Sequence, residues 1–137
     1  MKKKIDCIML VDDDFGTNLF HKIIIEEGDY TNKIVVVTNG EEALDYLKKP
    51  KDEENPTPNI IFLDINMPRM NGWEFLVEYE KLNPVQQADT TIVILSTSSN
   101  PEDIRKAKNN PLVQGYKSKP LTDEILQEII GTILVEK

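Results

Sequence analysis

The chain predicts an α/β domain built on a doubly wound, five-stranded parallel sheet, and three observations predict it. Five short strand-like runs alternate with five segments of helical spacing, the order that places parallel strands beneath right-handed helical crossovers on both faces. The inner runs are apolar at nearly every position rather than at alternate ones, as strands covered on both faces must be. Finally, the runs lead into chemically capable residues: Asp12, Asp13 and Asp14 after the first, Asp64 after the third, Ser96 and Thr97 after the fourth, and Lys119 soon after the fifth. Strand ends and helix N-termini converge on one edge of such a sheet, and ligands bind there.

Each element has its own justification. Ile5–Val11 is strand β1, interrupted only by Asp6, with Cys7 as a core residue. From Phe15 to Glu27 the spacing of Leu19, Phe20, Ile23 and Ile24 predicts helix α1 with these residues as its buried face, Gly28 as its stop and His21 on its surface. Asp14 reads as negative charge at the start of that helix, where the dipole favours it. Lys33–Thr38 is strand β2, and Asn39 with Glu42 three residues on predicts an N-cap for α2 over Glu41–Lys48. Lys49–Asn59, with three prolines and five charged residues, is a solvated loop. Within Ile60–Pro68 an apolar run, β3, ends in Asp64, and the proline stops the ladder. A tight loop from Met67 to Gly72 precedes helix α3, whose expected buried side is Trp73, Leu76, Val77 and Tyr79, and which Asn83 and Pro84 end. Thr91–Leu95 is β4. Ser99, with Pro101 in the first turn and Glu102 three residues on, opens α4, which Asn109, Asn110 and Pro111 close. Leu112–Lys117 is β5, and the stripe of Leu121, Ile125, Leu126, Ile129, Ile130, Ile133 and Leu134 marks a long amphipathic α5.

Composition removes several classes of function. The 137 residues, 39% hydrophobic and 29% charged, suit one globular domain with no internal boundary. A net charge of −8 disfavours nucleic acid and anionic lipid as partners. The apolar run behind Lys2, Lys3 and Lys4 is about seven residues, well short of the roughly eighteen of a membrane span. No cleavage-site pattern follows it, so the expected location is the cytoplasm, away from the membrane. One cysteine and one histidine leave no disulfide within the chain and no zinc cluster.

The acids at the strand ends point to a cation and a phosphate. Three carboxylates brought together repel, and a divalent ion relieves that repulsion without protonating one of them. With only oxygen ligands on offer, and few from the protein, the chemistry suits Mg²⁺. Lys119 and Ser96 add a positive charge and a hydroxyl donor for phosphoryl oxygens, and a carboxylate in such surroundings can become an aspartyl phosphate. The chain has neither a GxxxxGK[ST] loop nor a GxGxxG motif, so the phosphate arrives on a carrier other than a nucleoside triphosphate or dinucleotide.

Val11-Asp12-Asp13, Asp64 with Met67-Pro68 and Gly72, Ser96 closing β4, and Tyr116 with Lys119-Pro120 carry a resemblance over essentially the whole chain. The chain resembles the receiver domain of two-component response regulators, particularly the stand-alone chemotaxis-regulator type. The resemblance implies a flavodoxin-like (βα)5 fold of strand order 2-1-3-4-5, and a single receiver domain over residues 1–137 with no output domain. It implies that Asp64 accepts a phosphoryl group from a phosphohistidine on a sensor histidine kinase or phosphotransfer protein. Asp13, Asp64 and the backbone carbonyl of Asn66 would hold Mg²⁺, with Asp12 acting through a water. Lys119 would pair with Asp64 and then with a phosphoryl oxygen, Ser96 would swing to the phosphate, and Tyr116 would follow it inward. A downstream protein would read the surface formed by α4, β5 and α5. Such a protein is not an enzyme beyond catalysing its own phosphorylation and dephosphorylation.

Two positions depart from the family pattern: Ser96 stands for the commoner threonine, and Thr97 for a smaller residue, where its bulk would slow access to the site. Two other readings compete. A haloacid-dehalogenase-type, Mg²⁺-dependent phosphohydrolase would carry an acid–base aspartate where this chain has Asn66. A phosphorylation-independent, receiver-like interaction module would lack parts of the acid, hydroxyl and lysine set.

Overall fold

Five parallel strands in the order β2-β1-β3-β4-β5 form the sheet of the computed structural model, which describes residues 4–87 and 89–135. The strands are β1 (Ile5–Val11), β2 (Thr31–Val37), β3 (Ile60–Leu63), β4 (Thr91–Ser96) and β5 (Val113–Ser118). Between and after them run α1 (Phe15–Gly28), α2 (Gly40–Lys48), α3 (Gly72–Glu80), α4 (Pro101–Asn109) and α5 (Asp123–Val135), with one extra helical turn at Pro84–Gln87. That turn follows the expected end of α3 at Asn83-Pro84 and opens on the proline, which suits a first helical position. Among the described residues no helix is long and apolar enough to cross a membrane.

Because side chains alternate along a strand, the sheet fills two layers. On one face Ile8, Leu10, Phe62, Val93 and Leu95 pack against Ile25 of α1 and Leu126, Ile129, Ile130 and Ile133 of α5. On the other, Met9, Val11, Ile61, Leu63 and Ile92 meet Ala43, Leu44 and Leu47 of α2 and Phe75, Leu76 and Tyr79 of α3. Each large side chain so buried contributes roughly 1.5–3 kcal/mol relative to exposure. Helix α4 is held more lightly, by Ala107 on Ile65 and Ile94, with Tyr116 and Trp73 at the margin. Cys7 is fully buried, as expected.

Several expectations need correction. In α1 the buried residues are Asn18, His21 and Ile25, whereas Phe15, Leu19, Phe20 and Ile23 are 81%, 49%, 47% and 43% exposed. Of the residues expected to be buried only Ile24 packs, in part, against the core; apolar density otherwise marked the wrong side of the helix, because the docked side carries two polar residues that find hydrogen-bond partners inside. In α3, Val77 faces solvent and Phe75 takes the buried place; Trp73 is half-buried, with the Lys106 ammonium 5.5 Å from its ring centre. Helix α4 is capped by Asn100, not Ser99: the Asn100 side chain accepts the Glu102 N–H at 3.0 Å, and Pro101 is the first helical residue. Strand β2 starts at Thr31, where it pairs with Ile5. The Asn39 cap stands as expected, accepting the Glu42 N–H at 2.9 Å.

Candidate functional site

Register brings the site together. Val11 pairs with Leu63, and Leu63 with Ile94, so β1 and β3 end level and β4 runs beside them. The Asp64 N–H bonds the Val11 carbonyl at 2.9 Å and the Asp12 N–H bonds the Val37 carbonyl at 3.2 Å, so both acids are held by ladder bonds as they leave the sheet. Beyond Asp64 the chain must turn at once into α3. Gly72 permits this: a Cβ there would lie 2.7 Å from the Asp64 carbonyl oxygen and 2.8 Å from the Ile65 Cα. Arg69, in the same turn, is left-handed at φ 69°.

The acids and the lysine form one cluster. Asp12 and Asp64 are buried and Asp13 is exposed, yet each offers a carboxylate oxygen within 4.8 Å of the other two. Lys119, itself mostly buried, places Nζ 2.5 Å from Asp12 Oδ2 and 3.5 Å from Asp64 Oδ1. Burial, together with the neighbouring Asp12 charge, pushes the Asp64 carboxyl above its ordinary range, against the pull of Lys119 and of a hydrogen bond from the Asn66 N–H. Burial alone would lower the Lys119 ammonium, but the Asp12 and Asp64 carboxylates outweigh it and hold the group above its usual value. The folded chain therefore binds a proton at Asp64 more tightly than the unfolded chain does. The stability linked to this group falls as pH rises through its folded value.

A further positive charge relieves that tension, and the donor set fits one. All three carboxylates are hard oxygen ligands with no sulfur or imidazole among them, and the exposed Asp13 leaves room for water, which suits a small divalent cation. Asp14 stays out of the cluster as the N-cap of α1, its Oδ2 accepting the Thr17 N–H at 2.8 Å and the Thr17 hydroxyl at 2.6 Å. Those two bonds, the hydroxyl's first, hold the Asp14 carboxyl below its ordinary value.

On the neighbouring strand ends, Ser96 is fully buried, and its Oγ accepts the Ser98 N–H at 3.0 Å. Its carbonyl accepts the Lys119 N–H at 3.0 Å, which ties the lysine to β4. The Tyr116 hydroxyl donates to the Ser98 carbonyl at 2.9 Å, so the tyrosine grips the loop after β4 rather than standing free in solvent. Thr97 is exposed and lines an open concavity of about 420 Å³ with Gly16, Thr17, Phe20, His21 and Lys119.

Asn18 was not singled out in the sequence, and His21, expected on the surface of α1, is buried. Asn18 Nδ2 donates to the Asp12 carbonyl at 2.7 Å, and His21 Nε2 accepts the Leu121 N–H at 3.1 Å. A signal for them existed: Asn18, His21 and Ile25 recur at i, i+3 and i+7, which is one helix face.

Fold and site together define a doubly wound domain organised around a buried carboxylate with an acid pair and a lysine at its side. The chain matches the family of the response regulator receiver domain over residues 8–131, and it belongs to that family. Its fold is similar to the crystal structure of a two-component response regulator from Cytophaga hutchinsonii, with a TM-score of 0.85 and 32% identity over 97% of this chain and 99% of that one. It is also similar to the phosphorylated cyanobacterial phytochrome response regulator RcpA, with a TM-score of 0.71 and 28% identity over 94% and 91% of the two chains. Response regulator Rcp1 of Synechocystis is 31% identical over 71% of this chain and 65% of its own length. These relatives are response regulators, not phosphohydrolases.

Proposed function

We propose that this receiver domain takes its phosphoryl group on Asp64, from the phosphohistidine of a sensor histidine kinase or phosphotransfer protein, and signals by contact with another protein. The observation that carries this reading is Asp64 itself, a buried carboxylate at a strand end with Lys119 3.5 Å away and two further acids alongside. An Asp64 oxygen attacks phosphorus, the P–N bond of the donor breaks, and its electron pair returns to the imidazole. Lys119 neutralises charge on the phosphoryl oxygens and Ser96 donates its hydroxyl to one of them. Asp13, Asp64 and the Asn66 carbonyl would hold Mg²⁺ directly, and Asp12 through a water; bound there, the ion offsets charge on the transferring group. Donor docking falls to the exposed face of α1, where Phe15, Leu19, Phe20 and Ile23 stand in solvent beside the site.

Output passes through α4, β5 and α5. Tyr116 and Ser96 both bond Ser98, in the loop that leads into α4. A Ser96 hydroxyl turned toward a phosphate gives up the Ser98 N–H and frees the loop that Tyr116 grips. Intact-mass measurement with acetyl phosphate and Mg²⁺ tests the reading: one phosphoryl group is expected on the parent and none on Asp64→Asn. An undiminished gain in that variant removes Asp64 from its role.

A further inference from the structure

We propose that His21 is a positioning residue for this chemistry: its neutral imidazole, accepting through Nε2, fixes the backbone segment that carries Lys119. The inference rests on the reading of Asp64 and Lys119 given above. The segment Lys119-Pro120-Leu121 has only two backbone donors, since proline has none. The Lys119 N–H goes to the Ser96 carbonyl at 3.0 Å, and the Leu121 N–H goes to His21 Nε2 at 3.1 Å. The tripeptide is therefore pinned at one end to β4 and at the other to α1. His21 is 3% exposed and Leu121 1%, so water does not substitute for the imidazole. Without an acceptor there, a buried N–H is left unpaired, and the segment relaxes to find a partner. Lys119 Nζ, 2.5 Å from Asp12 and 3.5 Å from Asp64, moves with it.

The bond also fixes the state of the ring. An accepting Nε2 requires a neutral imidazole with its hydrogen on Nδ1, because a protonated ring donates from both nitrogens. The charged groups facing His21 are Asp12 at the end of β1, which favours protonation, and Lys119 after β5, which opposes it; Asp14 at the start of α1 lines the same concavity. Burial is the largest influence and, with Lys119, holds the imidazole below the ordinary histidine range. The clamp is thus made at neutral pH and released in acid, and phosphoryl acceptance declines in acid for a reason separate from the carboxylates.

Intact-mass time courses with acetyl phosphate and saturating Mg²⁺, run from about pH 5.5 to 8, compare the parent with His21→Gln and His21→Leu. Glutamine offers an uncharged carbonyl acceptor; leucine fills the space with none. Phosphorylation of His21→Leu is expected to be about tenfold slower at neutral pH, short of the roughly hundredfold that a 1 Å misplacement can cost. His21→Gln is expected to keep nearly the parent rate at neutral pH and to lose the parent's histidine-dependent decline in acid. Equal neutral rates for the parent and a folded His21→Leu overturn the proposal, as does an acid profile of His21→Gln that matches the parent. Should His21→Leu fail to fold, ¹⁵N NMR of the parent decides: Nε2 is expected to be unprotonated at neutral pH, and a proton found there overturns the clamp. A parent that accepts no phosphoryl group at all removes the Asp64 reading instead, while the tautomer measurement still judges the clamp.

Discussion

Helices α1 and α5 pack side by side on the same face of the sheet, yet they spend their side chains in opposite ways. Helix α5 turns its apolar stripe inward: Leu126, Ile129, Ile130 and Ile133 are all buried, as is Leu121 just ahead of it. Helix α1 gives the core one fully buried aliphatic residue, Ile25, with Ile24 partly buried beside it, and otherwise presents Asn18 and His21, while four large apolar residues face water. The inner polar pair is not idle. Asn18 holds the backbone of Asp12, and His21 holds the segment behind Lys119. One helix supplies cohesion; the other supplies the back wall of a site and leaves an apolar face exposed. A sheet face that needs both a core and a site can divide the work between two adjacent helices.

The largest expected effect breaks the comparison on the α5 side. Leu126→Ala empties a fully buried position and should cost about 2–5 kcal/mol in urea denaturation, with Asp64 phosphorylation unchanged in the folded fraction. A loss under about 0.5 kcal/mol, the usual range for surface changes, would mean that α5 is not the cohesive helix. The matching change in α1, Leu19→Ala with Ile23→Ala, should leave stability nearly untouched. It should slow phosphotransfer from a protein donor by about tenfold, equivalent to roughly 1.4 kcal/mol, and leave the acetyl phosphate reaction at its parent rate. Equal slowing with both donors would place the effect inside the site and not on the docking face.

Most of the fold was legible in the sequence because the inner strands are near-continuous apolar runs and α5 carries one unambiguous helical stripe. The site's acids were legible for a related reason: Asp12 and Asp64 each end an apolar run whose register is fixed by burial on both faces. The orientation of α1 was not legible. Its residues satisfy helical spacing on two sides, and hydrophobicity alone favours the side bearing Phe15, Leu19, Phe20 and Ile23. What decides is that Asn18 and His21 meet a carbonyl and an N–H from elements that are distant in sequence. The sequence does repeat Asn18, His21 and Ile25 on the docked side, but nothing local ranks that mostly polar stripe above the apolar one. Val77 shows the same limit in α3, where a neighbour of Leu76 in sequence lies outside the buried stripe that Phe75, Leu76 and Tyr79 share.

The comparison sharpens with pH, because the inner stripe of α1 contains a titratable group and the buried stripe of α5 contains none. Burial holds the His21 imidazole below its ordinary value. Above about pH 6.5 both folded and unfolded chains hold it neutral, and its contribution to stability is complete. As pH falls, the unfolded chain takes up the proton first, so stability declines until the folded value is passed. Urea denaturation of the parent from about pH 7 to pH 5 should show this decline, and His21→Gln should lack it. An identical decline in that variant would assign the loss to other groups.

The smallest effect is a gain, and it tests how completely packing governs α5. Gly131 lies inside that helix and is exposed, and an added Cβ would meet nothing within 4 Å. Alanine there reduces the freedom of the unfolded chain and adds no clash, so Gly131→Ala should stabilise the protein by about 0.5–1 kcal/mol. The corresponding glycine at the end of α1 behaves oppositely. A Cβ on Gly28 would come 2.2 Å from the ring of Tyr30, whose hydroxyl bonds Asp123 at the start of α5 at 2.7 Å. Gly28→Ala therefore pushes a buried ring off its partner at the junction of the two helices and should destabilise. Paired urea melts read both signs. If Gly131→Ala also destabilised, the outer face of α5 would be answering to something other than helix propensity, and the division of labour between the two helices would have to be redrawn.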